Sequence, residues 1–178
     1  MPSGLGLLLV FGIGVTAGLR TMTAPAVVAW AAHLGWIHLS GSPLAFMGSV
    51  WAVALWTFLA LAEAVVDQLP STAARTTAAP LITRIIMGML TGACLGAGEG
   101  ALLSVAALLG AIGAVAGTFG GYQARVRLVR LLHVPDAAVA IPEDLVAVGL
   151  GLLCCFQIPK LHPALAAVLA HLQSRACL

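Results

Sequence analysis

Residues Ala17–Pro25 read Ala-Gly-Leu-Arg-Thr-Met-Thr-Ala-Pro, an arginine, two threonines and a proline set inside an apolar run that extends from Gly4 to Leu39. How this stretch is read decides the fold. A membrane-spanning helix needs about 20 residues, so the run is too long for one straight crossing, and it is interrupted at Ala17-Gly18-Leu19-Arg20. Pro25 suits the first turn of a second half-helix, where a missing N–H costs little. Thr21 or Thr23 is placed to cap that half-helix. We read the run as one crossing built from two half-helices. A re-entrant hairpin is the other reading, and it would change the parity of every later segment.

The rest of the chain sets the solvent. Of its 178 residues, 61% are hydrophobic and 8% are charged. A soluble domain carries about 25% charged residues, so this chain lacks the side chains to cover a water-facing surface. The mean hydropathy of +1.09 agrees. Composition predicts an all-α integral membrane protein with one membrane domain over residues 1–178. The opening MPSGLGLLLVFGIG lacks the basic region of a signal peptide and reads as the start of the first membrane segment. A net charge of +2, with no basic run interleaved with aromatics, gives no case for a nucleic-acid partner. Cys94, Cys154, Cys155 and Cys177 fit neither a zinc spacing nor a disulfide framework. His33, His38, His133, His162 and His171 have no metal-ligand spacing within one element, so neither metal nor cofactor is expected.

Further apolar segments run from Leu44 to Val66, Leu81 to Gly98, Gly100 to Leu132 and Leu145 to Ile158. The fourth segment of the chain, Gly100 to Leu132, is again long, and Ala116-Gly117-Thr118-Phe119-Gly120-Gly121 marks a second expected interruption; the other reading of Gly110, Gly113 and Gly117 is that they allow close helix packing. Gly14/Ala17/Gly18 and Gly113/Ala116/Gly117 share a spacing, and each half carries an acidic pair, Glu63 with Asp67 and Glu143 with Asp144. The pattern predicts about five transmembrane helices. Two broken-helix halves, about 4–70 and 100–160, are related as an inverted repeat and linked by a helix at about 81–98. Such repeats point to a binding site near the membrane midplane. With five crossings, Arg75, Arg84, Arg125, Arg127 and Arg130 share a side with the N-terminus, while Lys160 and Arg175 lie opposite. The positive-inside rule then places the N-terminus in the cytoplasm. The tail after His162 reads as an amphipathic or packing arm.

Arg20 lies about 16 residues into the first segment, roughly 24 Å along a helix. An arginine there costs at least about 2.5 kcal/mol on insertion scales and must find a partner or water. One reading is an ion pair with Glu63 or Asp67 that ties helices together. The other is an anion site in which Arg20, the hydroxyls of Thr21 and Thr23, and the positive end of the second half-helix converge. Arg75 and Arg84, with the donor-rich Asp67–Pro80 loop, could extend that site. Glu63 and Asp67, four apart on one helix face, suit proton or cation coupling, and Glu143 and Asp144 offer a second pair. Acidic residues in a first turn are also favoured by the helix dipole alone. Arg125, Arg127 and Arg130 suit attraction to anionic lipid headgroups.

The elements GVTAGLRTMTAPAVVAWAA and AEAVVDQLPSTAARTTAAPLITRIIMG, with EDLVAVGLGLL, resemble a bacterial membrane family catalogued as a domain of unknown function, DUF4126. The resemblance covers most of the chain. Gln68 stands where lysine is usual in that family, and Ala73-Ala74 replaces a proline-containing pair. The resemblance implies a multi-pass protein of the bacterial cytoplasmic membrane and carries no established activity. A looser similarity, of architecture only, links GVTAGLRTMTAPAV to the broken helix of undecaprenyl-diphosphate phosphatases. The glutamate and serines that carry that chemistry are absent here.

The expected function is transport or translocation of a small anionic or phosphate-bearing solute or lipid. Arg20, Thr21, Thr23, Arg75 and Arg84 would bind it, and Glu63, Asp67, Glu143 and Asp144 would couple protons or cations. Membrane lipids are expected partners, and a chain this small could work as a homodimer. The alternatives are a membrane enzyme acting on a lipid phosphate, for which no catalytic residue is identified, and a scaffold in which the buried charges only lock helices.

Overall fold

The computed structural model describes residues 4–67, 78–132 and 142–157. Among the described residues there is no strand. The helices are α1 (Gly4–Leu19), α2 (Thr23–His33), α3 (Val50–Val66), α4 (Ala78–Gly98) and α5 (Leu103–Leu132), followed by α6 over residues 142–157. A single 3-10 turn, Ala45–Gly48, precedes α3. Of these helices α4 and α5 are long and apolar enough to cross a membrane, and α1 and α3 are shorter apolar helices.

Local chemistry fixes the helix ends. Ser49 adopts extended backbone ahead of α3, and its Oγ accepts the N–H of Ala52 at 3.1 Å, a cap of the kind worth ~1 kcal/mol. The far ends of α2 and α4 close in the same way. Gly35, at φ 76°, lets Trp36 N–H reach Ala31 O at 2.8 Å and its own N–H reach Ala32 O. Gly100, at φ 67°, does the same with Ala101 N–H on Gly96 O and Gly100 N–H on Ala97 O. Both are Schellman ends, which need a residue at ease in the left-handed region. The second leaves only a short link between α4 and α5.

α5 is the centre of the packing. Its contacts with α4 and α1 are the most extensive in the protein, and small residues let the backbones close. A Cβ at Gly14 would fall 2.2 Å from Gly110 O, one at Gly113 2.3 Å from Phe11 O, and one at Gly117 2.3 Å from Val15 O. On the other side, a Cβ at Gly110 would meet Gly88 O at 2.1 Å, and Gly92 and Gly96 face Ala106. These are small-xxx-small rows, the usual means of close helix approach where no water drives association. The glycines of Gly100–Leu132 therefore serve packing. The interruption expected at Ala116–Gly121 is not formed: α5 runs unbroken through it.

The first segment breaks where expected but turns back instead of crossing on. A methyl group at Gly151 of α6 would touch Thr16 of α1 at 3.4 Å and Val27 of α2 at 3.5 Å. In a continuing helix those two residues would lie roughly 16 Å apart. Farther along, Gly12 meets Cys154 Sγ, while the Trp36 ring meets Phe156 edge-on with centroids 5.6 Å apart. The chain after α2 has therefore returned to the level of the first half of α1. The paired contacts then give the direction of every helix. α3 runs antiparallel to α2, since Glu63 meets Thr21 and Gly48 meets Ala32. α5 runs parallel to α1 and antiparallel to α4, and α6 is antiparallel to α1. Six helices alternate up and down, and the turn Arg20–Met22 caps the first pair.

The core follows from this reversal. Val10, Ile13 and Ala17 of α1 pack with Val28 and Ala29 of α2, with Leu95 of α4 and with Cys154 and Cys155 of α6. Outward faces are apolar as well: Leu8, Trp51, Phe58 and Leu108 are exposed. The loop carrying Gln68 and Arg75, and the tail with Lys160, His162, His171, Arg175 and Cys177, lie outside the described residues, as does His133.

Candidate functional site

The turn between α1 and α2 gathers buried charge. Arg20 is 2% exposed, held by its own N–H on Thr16 O at 2.8 Å. Its Nη1 donates to Asp67 Oδ2 at 3.1 Å, just past the end of α3, and its Nη2 is in ion-pair contact with Asp144 Oδ1 near the start of α6. Its Nε is buried with no hydrogen-bond partner.

Both helix termini at the turn are closed by charges from other helices. α1 ends with its carbonyls pointing at the turn, the negative end of its dipole. Buried Arg84, one to two turns into α4, donates from Nη1 to Gly18 O at 2.7 Å. The Thr118 hydroxyl, bonded to Ala114 O at 2.8 Å, also lies 3.3 Å from Gly18 O. At the start of α2 the polarity is opposite. Glu63 accepts Thr21 N–H on Oε1 and Met22 N–H on Oε2, each at 2.8 Å. Met22 is the cap position and no side chain of its own segment caps the helix. Thr21 and Thr23, expected as caps, are replaced in that role by the Glu63 carboxylate, which offers two acceptors at once.

A second ion pair lies alongside. Arg125 of α5 donates to Glu143 Oε2 of α6 at 3.2 Å, and Glu143 Oε1 lies 3.5 Å from where a Cβ at Gly121 would stand. Of the residues singled out from sequence, the fold thus brings Arg20, Thr21, Glu63, Asp67, Arg84, Glu143 and Asp144 to one end of the bundle. Thr23 opens α2 there, and Arg75 lies outside the described residues. Reading by sequence missed Thr118 and the pairing of Asp144 with Arg20. Both depend on which helix lands where. Their one local signal is a polar residue at a helical level matching the Arg20 turn.

Among the described residues, the carboxylates of Glu63, Asp67 and Asp144 and the guanidiniums of Arg20 and Arg84 all stand around the turn. Among the described residues no group of His, Cys, Asp or Glu is arranged to hold a metal ion. The buried Thr16 and Thr91 hydroxyls bond back to carbonyls of their own helices and take no part.

A family described as a domain of unknown function, DUF4126, matches residues 7–177. The chain belongs to this family. No curated protein and no solved structure matches it. The match spans the candidate site, from the turn carrying Arg20 to Asp144.

Proposed function

We propose that this DUF4126 protein is a multi-pass membrane transporter of an anionic or phosphate-bearing solute or lipid, with its site at the α1–α2 turn. The apolar composition, the apolar outer faces and the two long helices support a bilayer as its solvent. Every arginine among the described residues, Arg20, Arg84, Arg125, Arg127 and Arg130, lies at or beyond the level of the turn. The positive-inside rule then faces the turn toward the cytoplasm. With α1 and α2 folded back on each other, this puts the N-terminus on the opposite side, a reversal of the expectation from five crossings.

One observation carries the reading: the Glu63 carboxylate on two consecutive N–H groups at a helix start, with buried Arg20 beside it. This is the arrangement in which helix termini hold anions, occupied by an anion of the protein itself. Glu63 keeps the seat filled when no ligand is bound. An incoming anion would sit beside the displaced carboxylate, like charge against like, unless Glu63 is protonated as it leaves. Anion binding is thereby coupled to uptake of one proton, and Asp67 and Asp144 hold Arg20 in place throughout.

Titration calorimetry of the detergent-solubilised protein with glycerophosphoglycerol, a water-soluble phosphodiester, tests this. Run in buffers of different ionisation enthalpy, the wild type takes up about one proton per anion bound. Glu63→Gln binds more tightly and takes up none. An absence of binding in both proteins, or identical binding in both, sinks the reading.

The pairing of Arg20 with two carboxylates favours one rival, a scaffold in which these charges only lock α1 to α3 and α6. Such a protein ignores the phosphodiester in the same titration.

A further inference from the structure

Between α5 and α6, next to the turn, lies an apolar groove of about 210 Å³ walled by Leu19, Ala124, Leu128 and Val146. The Arg125–Glu143 ion pair forms its rim. Leu19 precedes Arg20 in the chain and Glu143 precedes Asp144, so the groove and the charged turn share a wall. The turn itself contains a buried donor, Arg20 Nε, with no partner. Resting on the reading of the turn as an anion seat, we infer that the ligand is an anionic phospholipid, its phosphodiester at the turn and one acyl chain in the α5–α6 groove.

Charge and chain together select this occupant. The seat holds one carboxylate, so its replacement brings a single negative charge. A phosphodiester is a monoanion across the whole range near neutral pH and presents two oxygens, matching the two N–H groups that Glu63 now occupies. The groove walls offer nothing polar to a free solute, whereas an acyl chain gains from each methylene it removes from water or from looser packing. Arg125, Arg127 and Arg130 on the last turns of α5 add attraction for anionic headgroups at this end of the bundle.

The test compares three probes by native mass spectrometry and calorimetry: phosphatidylglycerol, phosphatidylethanolamine with the same chains, and chain-free glycerophosphoglycerol. The variants are Glu63→Gln and Ala124→Trp; Ala124 is exposed, so the larger ring fills the groove without disturbing the core. Phosphatidylglycerol is expected to outcompete phosphatidylethanolamine and to bind Glu63→Gln more tightly. Ala124→Trp weakens it about tenfold, the equivalent of about two methylenes withdrawn from an apolar site, and leaves glycerophosphoglycerol unchanged. If glycerophosphoglycerol responds to Glu63→Gln while Ala124→Trp leaves phosphatidylglycerol unaffected, the seat stands and the groove assignment falls. Equal binding of the two lipids overturns the assignment in the same way. If no probe responds to Glu63→Gln, the seat itself fails and the inference with it.

Discussion

Arg84 and Gly18 lie on helices joined by the whole first half of the chain, and the guanidinium of one closes the carbonyl end of the other at 2.7 Å, both buried. The bond explains why α1 can stop inside the protein. A helix end buried without partners leaves carbonyls that water cannot reach, and here a full positive charge also meets the negative end of the α1 dipole.

Replacing Arg84 by Met should therefore destabilise the protein by ~2 kcal/mol, in the range for a hydrogen bond to a charged group. Arg84→Lys should recover only part of this, because an ammonium on a flexible stem does not reproduce the planar fork. Urea or thermal unfolding in a fixed detergent reads both. Equal stability of the Met variant and the wild type would show that the Gly18 carbonyl finds another donor.

Gly110 stands where three helices converge, and Gly110→Ala would drive a methyl into Gly88 O at 2.1 Å. The obstacle is backbone, which cannot swing aside, so α4 and α5 must part. A loss of about 3 kcal/mol, the upper part of the usual overpacking range, is expected. Gly120 lies on the same helix with nothing within 4 Å of its missing Cβ. Gly120→Ala should be neutral or stabilising by up to ~1 kcal/mol through helix propensity. Equal effects of the two would mean that the close approach carries no energy.

The break at Arg20 was legible because arginine, threonine and proline within one apolar run violate helical continuity in a way no packing argument absorbs. Gly113 and Gly117 misled for the opposite reason. A glycine that permits close packing and a glycine that breaks a helix look alike until the neighbour is known, and α1 is that neighbour. The direction of the chain after Met22 was also beyond reach. Crossing on and turning back use the same residues, and only contacts as distant as Trp36 with Phe156 distinguish them. The charged residues were recognisable because charge is scarce here. The pair of Arg20 with Asp67 was among those expected; Asp144 on Arg20 was not, since it depends on helix order around α5.

That reversal can be checked in solution. With the native cysteines replaced by serine, Gly151→Cys should form a disulfide with Val27→Cys in one protein and with Thr16→Cys in another. The Val27 and Thr16 side chains both lie within about 3.5 Å of the Gly151 Cβ position, close to disulfide geometry. A first segment that crossed straight on would allow one of these bonds but not both. Electrophoretic mobility before and after reduction decides it.

Arg20 separates a lock from a ligand site. Arg20→Met removes the cation from between Asp67 and Asp144 and leaves both carboxylates without it. Breaking a buried pair in this way costs about 3–5 kcal/mol. The low end is expected here because the Asp144 side chain keeps 31% of its exposure, so water can take over part of its solvation. Adding Asp67→Asn and Asp144→Asn removes the two carboxylates that faced the lost cation, and most of the lost stability should return. The triple variant is then a folded protein without the cation. If it still binds glycerophosphoglycerol as the wild type does, Arg20 is a lock and nothing more. Loss of binding at restored stability assigns the guanidinium to the ligand, because its pairing with Asp67 and Asp144 has been compensated.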